Sequence, residues 1–225
     1  MATTGRGGSL RRRSRRSLDR ESILAAAVAL VDRDGLGALT MRALASALGA
    51  ATMSLYDHVP NKEALLDGVV ETVMAELEVP ACDSGPWEER ASRIARSLRA
   101  VAKRHPKCIP LLVARPFATG RSLGPCEAAF GSLTEAGLDR EHALIAFRTI
   151  LAYVLGFLTT ESAGFFGGVG PEYDQDALLQ LGLPNLAGLV PHLAGRDADA
   201  DFDAGLQIVE QGALVDWSAG VRRTP

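Results

Sequence analysis

LTMRALASALGAATMSLYDHVPNK, residues 39–62, reads as two short helices joined by a tight turn and followed by the start of a third. Thr40 suits an N-cap, because its hydroxyl can accept from free amides one turn on. Leu44, Ala47 and Leu48 give the first helix one apolar face at i, i+3, i+4 spacing. Gly49 ends it, since glycine enters the left-handed region without steric penalty. Ala50 and Ala51 are small enough for two helices to approach closely. The second helix is expected over Thr52–His58, and Pro60-Asn61 stops the run and restarts it. A helix, a short glycine-containing turn and a second short helix make a helix-turn-helix, whose second helix enters the major groove of DNA.

The pattern nominates side chains for base reading. Arg42 is one, because a guanidinium can donate twice to guanine O6 and N7; a phosphate contact or a solvated side chain is the alternative. Thr52, Met53 and Ser54 occupy the first turn of the recognition helix, the part that reaches base edges. Thr52 and Ser54 can bond to several bases, and Met53 can touch a thymine methyl, so no particular operator is encoded.

The rest of the chain suits an all-helical protein. Hydrophobic residues make up 47% of the 225, enough for a sizeable core, while aromatics are 5% and β-branched runs are scarce. Cys82, Cys108 and Cys126 are odd in number and widely spaced, which suits a reducing cytoplasm and not a disulfide framework. The basic N-terminus lacks the apolar segment of a signal peptide, and the apolar run 143–158 is short and interrupted by Arg148, so no membrane span is expected. The net charge of −3 divides unevenly: +4 over residues 1–66 and −7 over 67–225. A basic front on an acidic body fits a DNA-reading head on a body that does not touch DNA.

Residues 1–17 hold six arginines and no acid, and read as a mobile arm. It is either a tether to phosphates and the minor groove or a solvated tail. Helix one is expected over Asp19–Arg33 with Ile23, Ala27, Leu30 and Val31 inward. Asn61 caps a further helix whose apolar positions cover more than one face, so it should pack on both head and body. Trp87–His105 is amphipathic, with Ile94, Leu98 and Val101 inward and Arg90, Arg93 and Arg96 partly outward. Helices are expected over Ser122–Ala136, from Asp139 to about Ala163, in short pieces over Leu178–Leu193, and over Asp201–Trp217 with Phe202, Leu206, Val209 and Ala213 on one face. The domains are then the arm 1–17, a three-helix head 18–66 and a helical body 67–225.

Residues 39–67, and above all LYDHVPNKEALLD (residues 55–67), resemble the DNA-binding segment of the tetracycline-repressor (TetR) family of bacterial transcription regulators. The strong match spans about Leu18–Leu77; HPKCIPLLVARP and the apolar helix after Leu138 resemble the ligand-binding half of the tetracycline-repressor branch. The resemblance implies a ligand-responsive repressor of cytoplasmic location, with Thr40, Tyr56, His58 and Lys62 on the phosphate backbone. Tyr56 can also pack against helix one, and His58 can also be a plain surface histidine; Leu55 and Val59 read as core. It implies a homodimer on double-stranded palindromic operator DNA, which one short recognition helix alone would discriminate poorly. Ile145, Thr149, Ala152, Gly156, Thr159 and Ala163 form a stripe of mostly small residues, suited to a partner helix or to tight packing within one subunit.

The resemblance also implies a small-molecule effector in the body, with Leu98, Val101, Leu111, Phe117, Phe130, Phe147 and Leu151 as wall candidates or plain core. His105 is either a polar contact there or a helix cap. Tetracycline-binding members hold a magnesium–drug complex with a histidine at the position Leu111 takes here, and Ile94 and Leu98 replace other drug contacts. An apolar effector, such as a lipid-like metabolite or an aromatic antibiotic, is expected instead. No cofactor, metal or catalytic set is expected: His105-x-x-Cys108 lacks a second pair, and GFFGGVG follows a helix and lacks a Lys-Ser/Thr. Two other readings remain, a DNA-binding regulator gated by a partner protein and a helical enzyme.

Overall fold

The computed structural model describes residues 18–81, 84–115, 120–164, 173–193 and 196–213, apart from the side chains of Arg121, Ser122 and Ala213. The basic arm, Phe117, Cys82, residues 165–172 of the glycine-rich stretch and Trp217 lie outside the described residues. Those described form α-helices without strands: α1 Arg20–Asp34, α2 Met41–Leu48, α3 Thr52–Tyr56, α4 Lys62–Met74, α5 Trp87–Arg104, α6 Ile109–Ala114, α7 Gly120–Glu135, α8 Arg140–Ser162, α9 Gln175–Gln180, α10 Pro184–Leu193 and α11 Ala198–Ala213.

Local chemistry sets the helix ends. Asp19, Thr40, Asn61 and Asp139 each accept a backbone N–H from three residues on, at 2.7, 3.1, 2.8 and 2.9 Å. Each such cap stabilises its helix by about 1 kcal/mol. Gly49 ends α2 at φ 62°, and its neighbour Ala50 N–H returns to Ala45 O at 3.0 Å, which folds the chain sharply towards α3.

One apolar core unites α1 to α4. It holds Ile23, Ala27, Leu30 and Val31 of α1, Leu44 and Ala45 of α2, Leu55, Val59, and Leu65, Val69, Val70 and Val73 of α4. Two expectations need correction. The buried alanine of α2 is Ala45 and not Ala47, because the face turned to α1 and α3 runs Met41, Leu44, Ala45, Leu48. The recognition helix ends at Tyr56, with Asp57 and His58 in a turn. The core does not stop at the head: Val101, Cys108, Leu111 and Leu112 of the body belong to it.

The body packs α5, α7, α8 and α11 side by side. Phe202 of α11 lies against Tyr153 and Phe157 of α8, with ring centroids 5.8 and 5.1 Å apart, and Tyr153 Oη donates to Phe202 O at 2.8 Å. Arg90 of α5 is buried and not outward, since its guanidinium donates to Gly85 O and pairs with Glu135 of α7. Arg99 is likewise buried, held by Glu161 of α8 and Asp199 near the start of α11, and stacked over Phe157 and Phe202.

Candidate DNA interface and internal cavity

The α2–α3 unit presents the nominated residues together. Leu55 and Val59 are fully buried beneath α3 and fix its seat, so the opposite side of the helix is free. There Met53 is 74% exposed, the highest value among the exposed large hydrophobic side chains, and Tyr56 is 41% exposed. Thr40, Arg42 and His58 are exposed, while Thr52, Ser54 and Lys62 are half-buried. An exposed methionine at this place on α3 is compatible with contact to a thymine methyl. Burial lowers the Lys62 ammonium below the usual lysine range. Its place at the start of α4, beside free helix amides, suits an anion.

The second feature is an apolar cavity of about 90 Å³ inside the body. Its walls come from α4 (Val70, Met74) and Leu77 just beyond it, α5 (Ile94, Leu98), α6 (Leu112), α7 (Cys126, Leu133) and α8 (Phe147, Ile150, Leu151). The Cys126 thiol is the most polar group among the named walls, and burial pushes its pKa up, so it stays protonated. Of the nominated wall residues, Leu98, Phe147 and Leu151 lie on the cavity. Val101 and Leu111 do not: both are buried in the core shared with α1 and α4. Phe130 stands behind the wall, its ring edge-on to Phe147 at 6.3 Å. His105 points away from the cavity, towards α1.

From α7 the sequence nominated Phe130 and not the wall residues Cys126 and Leu133, and the α4 wall was not nominated. The signal for α4 was present, since its apolar positions cover two faces: one meets α1 and the other closes the cavity. A charged side chain ties α6 to the first turns of α4. Arg115, directly after α6, pairs with Glu63 and Asp67 in the first turns of α4, next to Lys62. The outer stripe of α8, Ile145 through Ala163, is exposed along its length among the described residues.

Residues 23–69 match the family described as bacterial regulatory proteins, tetR family, and residues 79–215 match the tetracyclin repressor-like C-terminal domain. The chain belongs to the TetR family. It is similar to an HTH-type transcriptional regulator of Saccharopolyspora erythraea, at 34% identity over 89% of this chain and 86% of the relative. It is also similar to the class A tetracycline repressor from transposon 1721 in Escherichia coli, at 32% identity over 87% of this chain and 90% of that protein. Among solved structures it resembles apo ActR of Streptomyces coelicolor, with TM-score 0.76, 30% identity, and 88% and 95% of the two chains covered. ActR has also been solved with actinorhodin, and that structure matches this TetR-family chain with TM-score 0.73. The chain is thus a transcriptional regulator and not an enzyme.

Proposed function

We propose that this TetR-family regulator is a cytoplasmic homodimeric repressor that binds palindromic operator DNA through α2–α3 and is released by a small apolar effector. The observation that carries the effector reading is the cavity, whose walls are apolar and include both α4 and α6. α4 begins at the DNA-facing Lys62 and ends beside the cavity, so one rigid helix connects the two sites. A drug-sized ligand needs roughly 300 Å³ or more. Such a ligand would widen the space between α4, α6, α7 and their neighbours, and α4 and α6 are the helices joined to the head. Binding then favours the widened state, and a ligand shifts the equilibrium only by its difference in affinity for the two states.

The dimer reading rests on α8 and α11. α8 is 23 residues long and its most apolar window has mean hydropathy 1.7, enough by length and composition to cross a membrane. In a regulator, that apolarity is better explained by a partner helix on the exposed stripe. Ile208 of α11, 70% exposed, would join the same interface.

Actinorhodin, the ligand of one solved neighbour, is the first probe; minocycline, the tetracycline bound by another, is the expected non-inducer, because Leu111 stands where tetracycline binders hold a histidine. Actinorhodin, or an apolar aromatic compound, should release labelled operator. Ala129→Phe, which fills the cavity wall, should retain DNA binding and lose release. Release unchanged in Ala129→Phe would contradict an effector site in this cavity.

A further inference from the structure

α1 belongs to the head, yet its last turn is gripped by the body. The grip comes from four consecutive residues, His105–Cys108, between α5 and α6. His105 Nδ1 lies 2.7 Å from Asp32 Oδ2, and its other ring nitrogen lies 3.1 Å from Glu76 Oε1, just past α4. Lys107 Nζ donates to Arg33 O at 2.6 Å, a cation on a carbonyl at the negative end of α1. Cys108 Sγ donates to the other Asp32 oxygen at 3.8 Å. Arg104 adds two bonds to Glu76, at 3.0 and 2.8 Å. Burial and the Asp32 charge push the Cys108 thiol up to about 12, so it remains a donor.

We propose that the His105–Cys108 turn is a clasp that sets the orientation of the DNA-binding head on the body, with His105 as its positioning residue. The turn's own position supports this. It joins α5 to α6, and both helices supply cavity wall: Ile94 and Leu98 before the turn, Leu112 after it. Any spreading of the cavity therefore displaces the groups that hold Asp32 and the end of α1. Within the turn, His105 is the residue that reaches both Asp32 of α1 and Glu76 past α4, so its loss loosens the head from both while Lys107, Cys108 and Arg104 keep their own contacts. A bivalent reader depends on the relative geometry of its heads, because the second half-site is reached at an effective concentration set by that geometry. The clasp thus tunes two-site binding and leaves the reading of one half-site alone. The inference rests on the dimeric operator-binding reading above.

The test uses the full chain and an operator duplex selected from random-sequence DNA, compared with the same duplex carrying one scrambled half-site. His105→Ala should weaken binding to the intact duplex by about tenfold and change half-site binding by less than about twofold. His105→Gln, which keeps one amide donor, should recover part of the loss, and Lys107→Met should give a smaller loss of the same kind. Hydrogen exchange without DNA should speed up in α1–α3 and stay unchanged in α8 and α11. Equal losses on both duplexes, or no loss on either, would overturn the clasp. If the wild type itself shows no preference for intact operator, the regulator reading fails. The clasp is then decided by exchange, and unchanged rates in α1–α3 for both His105→Ala and Lys107→Met would overturn it.

Discussion

Arg42 in α2 and Lys62 at the start of α4, both assigned to the proposed DNA interface, should fail in different ways when removed. Arg42→Ala should cost about 1–3 kcal/mol at one guanine position and relax the preference there. Lys62→Ala should weaken all sequences alike and lower the salt slope by about 1. Anisotropy against a panel of single-base operator variants separates the two, and an unchanged ranking with Arg42→Ala would remove its base-reading role. The helix caps and the Gly49 turn were legible in the sequence because their chemistry is local. A Thr40 or Asn61 cap needs only the amide three residues on, and Gly49 needs only its own φ. Arg90, Arg99 and His105 were not legible as buried or bridging groups. Their partners Glu135, Glu161 and Asp32 lie 45, 62 and 73 residues away, so nothing local marks them.

Helices were readable as units, while their neighbours were not. The 3.6-residue period exposed the stripe of α1 and the two-faced pattern of α4, but it could not choose between Ala45 and Ala47, which flank Leu44 on opposite sides of α2, one buried and one exposed. That choice depends on where α1 and α3 stand. Gly68 shows the same dependence: a Cβ there would run into Leu24, so α4 crosses α1 in direct contact. The cavity walls from α7 were hidden for the same reason, since an apolar residue on a helix face looks alike whether it meets a neighbour or a void. For α8, the exposed stripe predicts that Ala152→Arg, a charge set among small residues, splits the dimer. The inward side, with Tyr153 and Phe157, is untouched, so the monomer should stay helical. Sedimentation of a variant that remains dimeric would contradict the α8 interface.

Across the whole molecule, charge and packing divide the work. The head region 1–66 carries +4 and the remainder −7, so long-range attraction to DNA orients the head first. The head and body nevertheless share one apolar core through Val101, Cys108, Leu111 and Leu112, and polar ties reinforce it: His105 hydrogen-bonded to Asp32, Lys107 on the Arg33 carbonyl at the end of α1, and Arg115 paired with Glu63 and Asp67. In the proposed mechanism such a joint, rather than a loose linker, would carry a change in the cavity to the heads. The central claim is that these heads read a particular DNA sequence as a pair. The most direct test is fluorescence anisotropy of the purified protein with duplex from immediately upstream of its own gene, against unrelated duplex, across a salt series. The account predicts binding at least about 10³-fold tighter to one palindromic segment, with affinity falling steeply as salt rises. Equal, weak binding to both duplexes, and to DNA selected from a random pool, would contradict it.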